Sequence, residues 1–354
     1  MLEKNQNVLI ANRGEIAVRI ARAAKSLGLN PISIFASADS DSLHTKLTYK
    51  ALELTGYDSD PVSAYLDIEQ IVNLAIENEC QFVHPGYGFL SENSEFAAKC
   101  TAEGINFIGP SSKILELFGD KVRARNLAQS LSIPTVPGSK ETIDSVESAK
   151  ATALEVGYPI MLKASAGGGG RGMRAVHSEE EMVTAFERCS SEAKSSFGDE
   201  SLFIEKLIER PRHIEIQILA DQLGNTVHLF ERDCSVQERN QKVIEIAPAP
   251  NLDEKLLDKL YADAKKLVTE AGYTNAGTVE FLVNPESDEY YFIECNPRIQ
   301  VEHTVTEEIT GIDLVEAQFR ISFGETLESM SINEAQEKKS PSSFAVQTRV
   351  ISKG

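Results

Sequence analysis

The chain has 354 residues, 42% hydrophobic and 25% charged, an ordinary globular composition long enough for two or three domains. Its 54 acidic against 35 basic side chains give a net charge of −19, which opposes nonspecific binding to nucleic acid or to an anionic membrane. Any phosphate must therefore be held by a local basic cluster.

The first hundred residues alternate short apolar strands with helices. Val8 to Ala11 reads as a strand, Glu15 to Leu27 as a helix closed by Gly28, and Ile32 to Ala36 as the next strand. Ile16, Ile20, Ala24 and Leu27 recur at helical spacing and make one buried stripe. Ile68 to Asn78 reads as helix, Phe82 to His84 as strand, Ser94 to Glu103 as helix and Phe107-Ile108 as strand, which together predict an open α/β sheet. A helical stretch, Ser112 to Leu131, leads through Pro134 to Gly138 into a smaller unit. That unit holds the strand Tyr158 to Ala164, a glycine-rich turn, the strand Gly172 to His177, and a helix opened by a capping box at Ser178 to Glu181. From about Phe203 the strands lengthen and become hairpin-connected, an α+β body ending in a strand over Phe344 to Ile351, with Gln336 to Ser343 as a loop. Five cysteines, an odd number with no pair at zinc-ligand spacing, suggest a reducing compartment. No apolar run approaches the ~20 residues of a membrane span, and Leu2 to Asn7 leaves no room for a targeting peptide, so a cytoplasmic protein is expected.

Thr278 to Val283 reads as a strand, Asn284 to Glu289 as a turn and Tyr290 to Asn296 as the returning strand. Glu280 and Glu294 are equidistant from Ser287, so an unbulged hairpin places them opposite one another on one face, where like charges repel. A cation between them is one resolution. With Asn296 on the same face, the oxygen set suits Mg²⁺; the alternative is a solvated face with its carboxylates in water.

Gly167 to Gly172 can be matched to GxGxxG, but Met173 to Val176 continues as strand, where a dinucleotide fingerprint needs a helix. The Walker pattern lacks its Gly-Lys-Ser/Thr. What remains is a glycine hairpin beside Lys163, Arg171 and Arg174 that could fold over phosphates, or a mere mobile turn.

His213 to Ile218 alternates strictly, placing Ile214, Ile216 and Ile218 on a core and His213, Glu215 and Gln217 opposite, as a solvated sheet face also would. The polar run Glu231 to Lys242 suggests an anion-binding loop, or a solvent loop of mixed charge. If the chain is extended after Asn296, then Arg298, Gln300 and Glu302 project together as anion holder, orienting amide and general base. The alternative there is a weak surface ion pair between Arg298 and Glu302.

These segments, in this order, closely resemble the biotin carboxylase component of biotin-dependent carboxylases, in the ATP-grasp superfamily. The matching stretches are Ile10 to Ala17, His84 to Asn93, Gly119 to Lys121, Lys163 to Arg174, Arg212 to Glu215, Glu231 to Lys242, and Asn296 to Glu308. The resemblance implies a mixed α/β and α+β ATP-grasp fold. Residues 1–110 would form an N-terminal open α/β (preATP-grasp) domain, 111–135 a helical linker, 136–204 a small glycine-looped lid, and 205–354 an incomplete C-terminal sheet domain.

It further implies ATP contacts at Lys121, Lys163, Gly168, Gly169, Gly170, Glu205, Lys206, Ile208, His213, Gln237 and Asn240. Metal binding by Mg²⁺ or Mn²⁺ falls to Glu280, Glu294 and Asn296. Bicarbonate falls to Lys242, Arg298, Gln300 and Val301, the base to Glu302, and Arg349 to the biotin enolate. The implied partners are a biotin carboxyl carrier domain or protein, a carboxyltransferase component, and a second copy where the C-terminal domain is complete. Neither a biotinylation motif nor a carboxyltransferase region occurs in the chain. A carbamoyl-phosphate-synthetase-like ligase and a catalytically impaired nucleotide-binding fragment are the alternatives. Two departures stand out: Glu238 and Asn240 replace a usual cation and histidine, and relatives continue beyond Gly354, which predicts a truncated body and a poorly anchored Arg349.

Overall fold

The computed structural model describes residues 5–139, 141–165, 172–285, 287, 289–333, 341 and 343–350. Among them the chain opens with β1 (Asn7–Ile10), α1 (Gly14–Ser26), β2 (Asn30–Ala36), α2 (Leu43–Leu47), β3 (Lys50–Leu54), α3 (Ile68–Glu77), β4 (Cys80–His84), α4 (Ser94–Ala102) and β5 (Asn106–Phe107). The strands form one parallel sheet in the order β3-β2-β1-β4-β5. The predicted stripe of α1 is buried at Ile16, Ile20 and Ala24, while Leu27 packs on the same core half-buried. Sequence patterning missed α2 and β3; β3 is an edge strand with only Leu54 buried, so it carries no apolar alternation.

The helical stretch over 112–131 is two helices, α5 (Ser112–Gly119) and α6 (Lys121–Ser130). Asp120 between them is extended, and its carboxylate accepts from the N–H groups of Val122 and Arg123 at 2.9 and 3.1 Å. That cap starts the second helix.

Next come α7 (Val146–Val156), β6 (Ile160–Ala164), β7 (Met173–Val176), α8 (Glu179–Phe197) and β8 (Leu202–Lys206), with an antiparallel sheet in the order β7-β6-β8. This unit has its own core around Leu162, Val176, Met182 and Ile204. Its expected capping box does not close. The Ser178 side chain makes no cap bond, and Glu181 instead accepts from the His177 N–H at 2.9 Å.

The remainder comprises β9 (Arg212–Ala220), β10 (Thr226–Glu238), β11 (Gln241–Ala247), α9 (Glu254–Glu270), β12 (Asn275–Val283), β13 (Tyr290–Asn296), α10 (His303–Thr310), α11 (Leu314–Ser322) and β14 (Ala345–Thr348). Its strands form one antiparallel sheet, β13-β12-β9-β10-β11-β14. As the alternation predicts, Ile214, Ile216 and Ile218 join Val279, Phe281 and Val283 on one face, packed on α5 and α9 through Phe118, Leu260 and Leu267. The other face is not solvated. Glu215 and Gln217 are 0% exposed, and Thr306 of α10 reaches down onto them through Arg232. The strand expected over 344–351 is β14; Ile351 and most of the 336–343 loop lie outside the described residues. All five cysteines are buried and free, and no helix among the described residues is long and apolar enough to cross a membrane.

Candidate active site

The buried polar face is a row of charges laid across adjacent strands. Arg232 on β10 pairs with Glu215 on β9, Glu215 with Glu280 on β12, and Glu280 with Glu294 on β13. In the neighbouring row Gln217 stands beside Thr278, and Thr278 beside Asn296. The pairing of Glu280 with Glu294 is the predicted one, but its cause differs. Near the turn the hairpin pairs Val283 with Tyr290 and Phe281 with Phe292, and a bulge at Ile293 shifts the register so that Glu294 meets Glu280.

Burying carboxylates side by side demands cations. Arg232 is fully buried and donates to Glu215 at 2.5 Å, Gln217 at 2.8 Å, Thr306 at 2.9 Å and Thr278 at 3.2 Å. From β11, Lys242 Nζ donates to Glu280 Oε1 and to Glu302 Oε1, both at 2.8 Å, and also to Glu215. Burial pushes the Lys242 ammonium down, but Glu215, Glu280 and Glu302 more than reverse this and hold it well above its ordinary value. Burial likewise pushes Glu280 up, and Lys242 with His213 drives it below the usual carboxylate range.

Glu280 is a hub. Its Oε1 also accepts from Asn296 Nδ2 at 2.8 Å and Gln300 Nε2 at 3.1 Å, and its Oε2 accepts from His213 Nε2. The His213 Nδ1 faces the Gln237 amide at 3.0 Å. Glu294 lines an adjoining cavity, and its carboxylate makes no hydrogen bond among the described residues. Glu280, Glu294 and Asn296 are the oxygen-bearing residue types that a hard divalent cation takes, but here Asn296 turns its NH2 to Glu280 and its oxygen to Arg298.

Residues 297–302 form a bend and a turn, so the extended geometry predicted there does not hold. The three side chains still converge. Arg298 donates to Gln300 at 2.9 Å, to Asn296 at 3.1 Å and to Glu92 after β4 at 2.5 Å. Glu302 is not paired with Arg298; its two oxygens take Lys242 and, at 2.9 Å, Arg349. Arg349 also donates to Glu245 at 2.7 Å, so it is anchored by two carboxylates rather than poorly held. Val301 lies in the turn, its carbonyl accepting from Gln347.

The 231–242 segment is not a loop. It forms most of β10, a two-residue turn and the start of β11. Arg239 and Asn240 both have positive φ, 51° and 63°, as such a tight turn requires, and Asn tolerates that conformation well. Asn240 is exposed at the tip, and of the cations in the run, Arg232 and Lys242 turn into the acidic cluster.

Beyond Glu294 a cavity of about 570 Å³ opens between α6, β13 and the β8 sheet. Lys121, Lys163 and Glu205 line it, and Lys163 is paired to Glu205. The Lys206 ammonium instead donates to the carbonyls of Gly157 at 2.8 Å and Tyr158 at 3.0 Å, and Ile208 lies just past β8. Gly168, Gly169 and Gly170 lie outside the described residues.

Residues 4–115 match the family described as "Biotin carboxylase, N-terminal domain", and residues 120–330 match "Carbamoyl-phosphate synthase L chain, ATP binding domain". The biotin carboxylase domain dimer of Hydrogenobacter thermophilus 2-oxoglutarate carboxylase, solved with MgADP, ADP and bicarbonate, is 46% identical with a TM-score of 0.92, over 98% of this chain and 75% of that one. The chain belongs to the biotin carboxylase family. A Campylobacter jejuni biotin carboxylase solved with a β-γ-ATP ligand is 42% identical, TM-score 0.92, over 97% of this chain and 75% of that one. The pyruvate carboxylase of Bacillus subtilis (strain 168) is 51% identical over 98% of this chain, and pyruvate carboxylase 1 of Caenorhabditis elegans 52% over 97%. The chain spans about 30% of the length of these two carboxylases.

Within this biotin carboxylase fold, three structurally central residues escaped sequence reasoning: Arg232, Glu92 and Arg125. Glu92 and Arg232 sit inside family-like motifs, yet their partners lie 206 and 17 residues away, Arg298 and Glu215. Spacing carries no signal for such pairs.

Proposed function

We propose that this chain performs the first half-reaction of a biotin-dependent carboxylase, the ATP- and bicarbonate-dependent carboxylation of biotin on a carrier. The observation that carries it is Lys242, whose ammonium stands 2.8 Å from both Glu280, at the metal-binding end, and Glu302, the base. One cation thus joins the phosphate side of the site to the anion side.

ATP would occupy the cavity, with Lys121, Lys163, Glu205 and the glycine loop on one side and His213 with Gln237 toward Glu280. Glu280, Glu294 and Asn296 would hold a Mg²⁺ or Mn²⁺ ion, which would supply positive charge opposite the phosphates. Bicarbonate would lie among Lys242, Arg298, Gln300 and the Val301 backbone, and Glu302 would take its proton. The carbonate oxygen then attacks the γ-phosphorus, ADP leaves and carboxyphosphate forms, with Lys242 and Arg298 offsetting the charge that builds up. Carboxyphosphate splits its C–O bond to CO₂ and phosphate, the phosphate takes the ureido proton of biotin, and the resulting enolate attacks CO₂. Arg349 supplies the positive charge that the enolate oxygen needs. The domain boundaries proposed are 110, 135 and 204, the last of which falls inside β8 (Leu202–Lys206) of the three-stranded sheet. The finer partners proposed are a biotin carboxyl carrier, a carboxyltransferase component and a second copy, and the compartment proposed is the cytoplasm, where buried free thiols persist.

Bicarbonate-dependent ATP hydrolysis stimulated by free biotin is the test. Stimulation by ammonia in place of biotin points to a carbamoyl-phosphate-synthetase-like ligase, and ATP binding without turnover to a nucleotide-binding fragment.

A further inference from the structure

Among the described residues, Arg125 on α6 is the one cation of the cavity wall that the proposed chemistry leaves without a task. Its side chain is only 15% exposed. The guanidinium donates from Nη2 to the Val136 carbonyl at 2.8 Å and from Nη1 to the Ser139 carbonyl at 3.3 Å, and Nη1 stands 3.9 Å from Glu205 Oε1. Residues 136–139 form a strap laid along β8. Lys206 N–H donates to the Pro137 carbonyl and Ser139 N–H to the Ile204 carbonyl, both at 2.7 Å, while Ile204 N–H donates to Ser139 Oγ at 3.1 Å. At Gly138 the approach is so close that a Cβ would sit 2.2 Å from the Ile204 carbonyl oxygen. The strap and β8 are thus one piece, and Arg125 bonds this piece to α6, as Gln129 bonds Thr135 just before it.

Glu205 projects from β8 into the cavity with Lys163 on its Oε2 and Arg125 near its Oε1. With Lys163 as its sole cation, Glu205 would hold that ammonium as a closed pair. A second positive charge on the far oxygen weakens the hold and leaves Lys163 able to turn to a phosphate.

We propose that Arg125 is a positioning residue of the nucleotide site: it ties the 136–139 strap to α6 and shares Glu205 with Lys163, so that Lys163 is presented to the nucleotide. This rests on the reading of the cavity as the ATP site. A planar fork that bonds two carbonyls while facing a carboxylate is a task for arginine and not for lysine.

The test is calorimetric titration of the chain with Mg·ATP, alongside thermal unfolding. Arg125→Met is expected to weaken binding about tenfold, the loss that follows from removing charge-assisted hydrogen bonds. Should Arg125→Met fail to fold, Arg125→Lys carries the same test, because a single ammonium nitrogen replaces the two separate nitrogens that bond the Val136 and Ser139 carbonyls. A double-mutant cycle with Glu205→Gln separates positioning from mere support. Coupling of about threefold or more between the two positions is expected, whereas multiplicative losses would overturn the inference. So would binding within about twofold of the unsubstituted chain in the folded Arg125 variant. No Mg·ATP binding by the unsubstituted chain would sink the reading of the cavity itself, and this inference with it.

Discussion

Replacing Arg232 by methionine removes a fully buried cation of similar length and leaves its acceptors in place. Glu215 loses its partner at 2.5 Å and keeps, among the described residues, only Lys242, while Gln217, Thr306 and Thr278 lose bonds of 2.8, 2.9 and 3.2 Å. Burial pushes the Glu215 carboxyl up, and it is Lys242 and Arg232 together that turn the net displacement downward. With Arg232 gone, a carboxylate at 0% exposure is left half-compensated. Breaking a buried pair by removing one partner costs about 3–5 kcal/mol, and because all four lost bonds come from a charged guanidinium, the upper end of that range is expected. Urea unfolding followed by circular dichroism should show that loss. Substituting Glu215 by leucine in the same chain should return about 1–2 kcal/mol of it, because the stranded charge then disappears. A single variant within about 1 kcal/mol of the unsubstituted chain, or a double variant as costly as the two singles combined, would refute the argument that the polar face is held by charge compensation.

Other consequences are as concrete. Glu302→Gln should abolish biotin-stimulated ATP hydrolysis while leaving nucleotide affinity in place, and Glu280→Gln should weaken Mg²⁺-dependent nucleotide binding; unchanged turnover in either contradicts the assigned role. Acid stability should fall early. Burial depresses His84 to about 3 and His303 to about 4, against about 6.5 in the unfolded chain. The unfolded state therefore binds more protons between those values, so stability is full above about pH 6.5 and falls by about 3 kcal/mol per pH unit toward pH 4 from these two groups. Denaturation midpoints that stay constant from pH 7 to 5 would contradict this. Gly277→Ala sets a Cβ 2.3 Å from the buried Tyr273 hydroxyl, which donates to the Ala276 carbonyl at 2.8 Å. A loss of about 2–3 kcal/mol is expected from this overpacking, measurable by urea unfolding and eased when Tyr273 is also shortened to leucine.

Local pattern was enough for much of this protein. The stripe on α1, the strict alternation of His213 to Ile218 in β9, and the turn between β12 and β13 follow from side-chain period and turn chemistry, which neighbouring residues alone decide. The motif order was enough for the family, and it named Lys242, Arg298, Glu302 and Arg349 as a group. Parity and pairing were another matter. In β10 an unbroken alternation from His228 would put Arg232 on the apolar side with α9, but a bulge near Phe230, whose φ is +63°, turns it onto the face of Glu215. The bulge at Ile293 does the same for Glu294. Whether an acid is solvated or sealed depends on what packs above it, and here α10 and the 297–302 turn close over β9. Those contacts join residues 74 and 60 positions apart, so no short window of sequence contains the charge balance that makes the site stable.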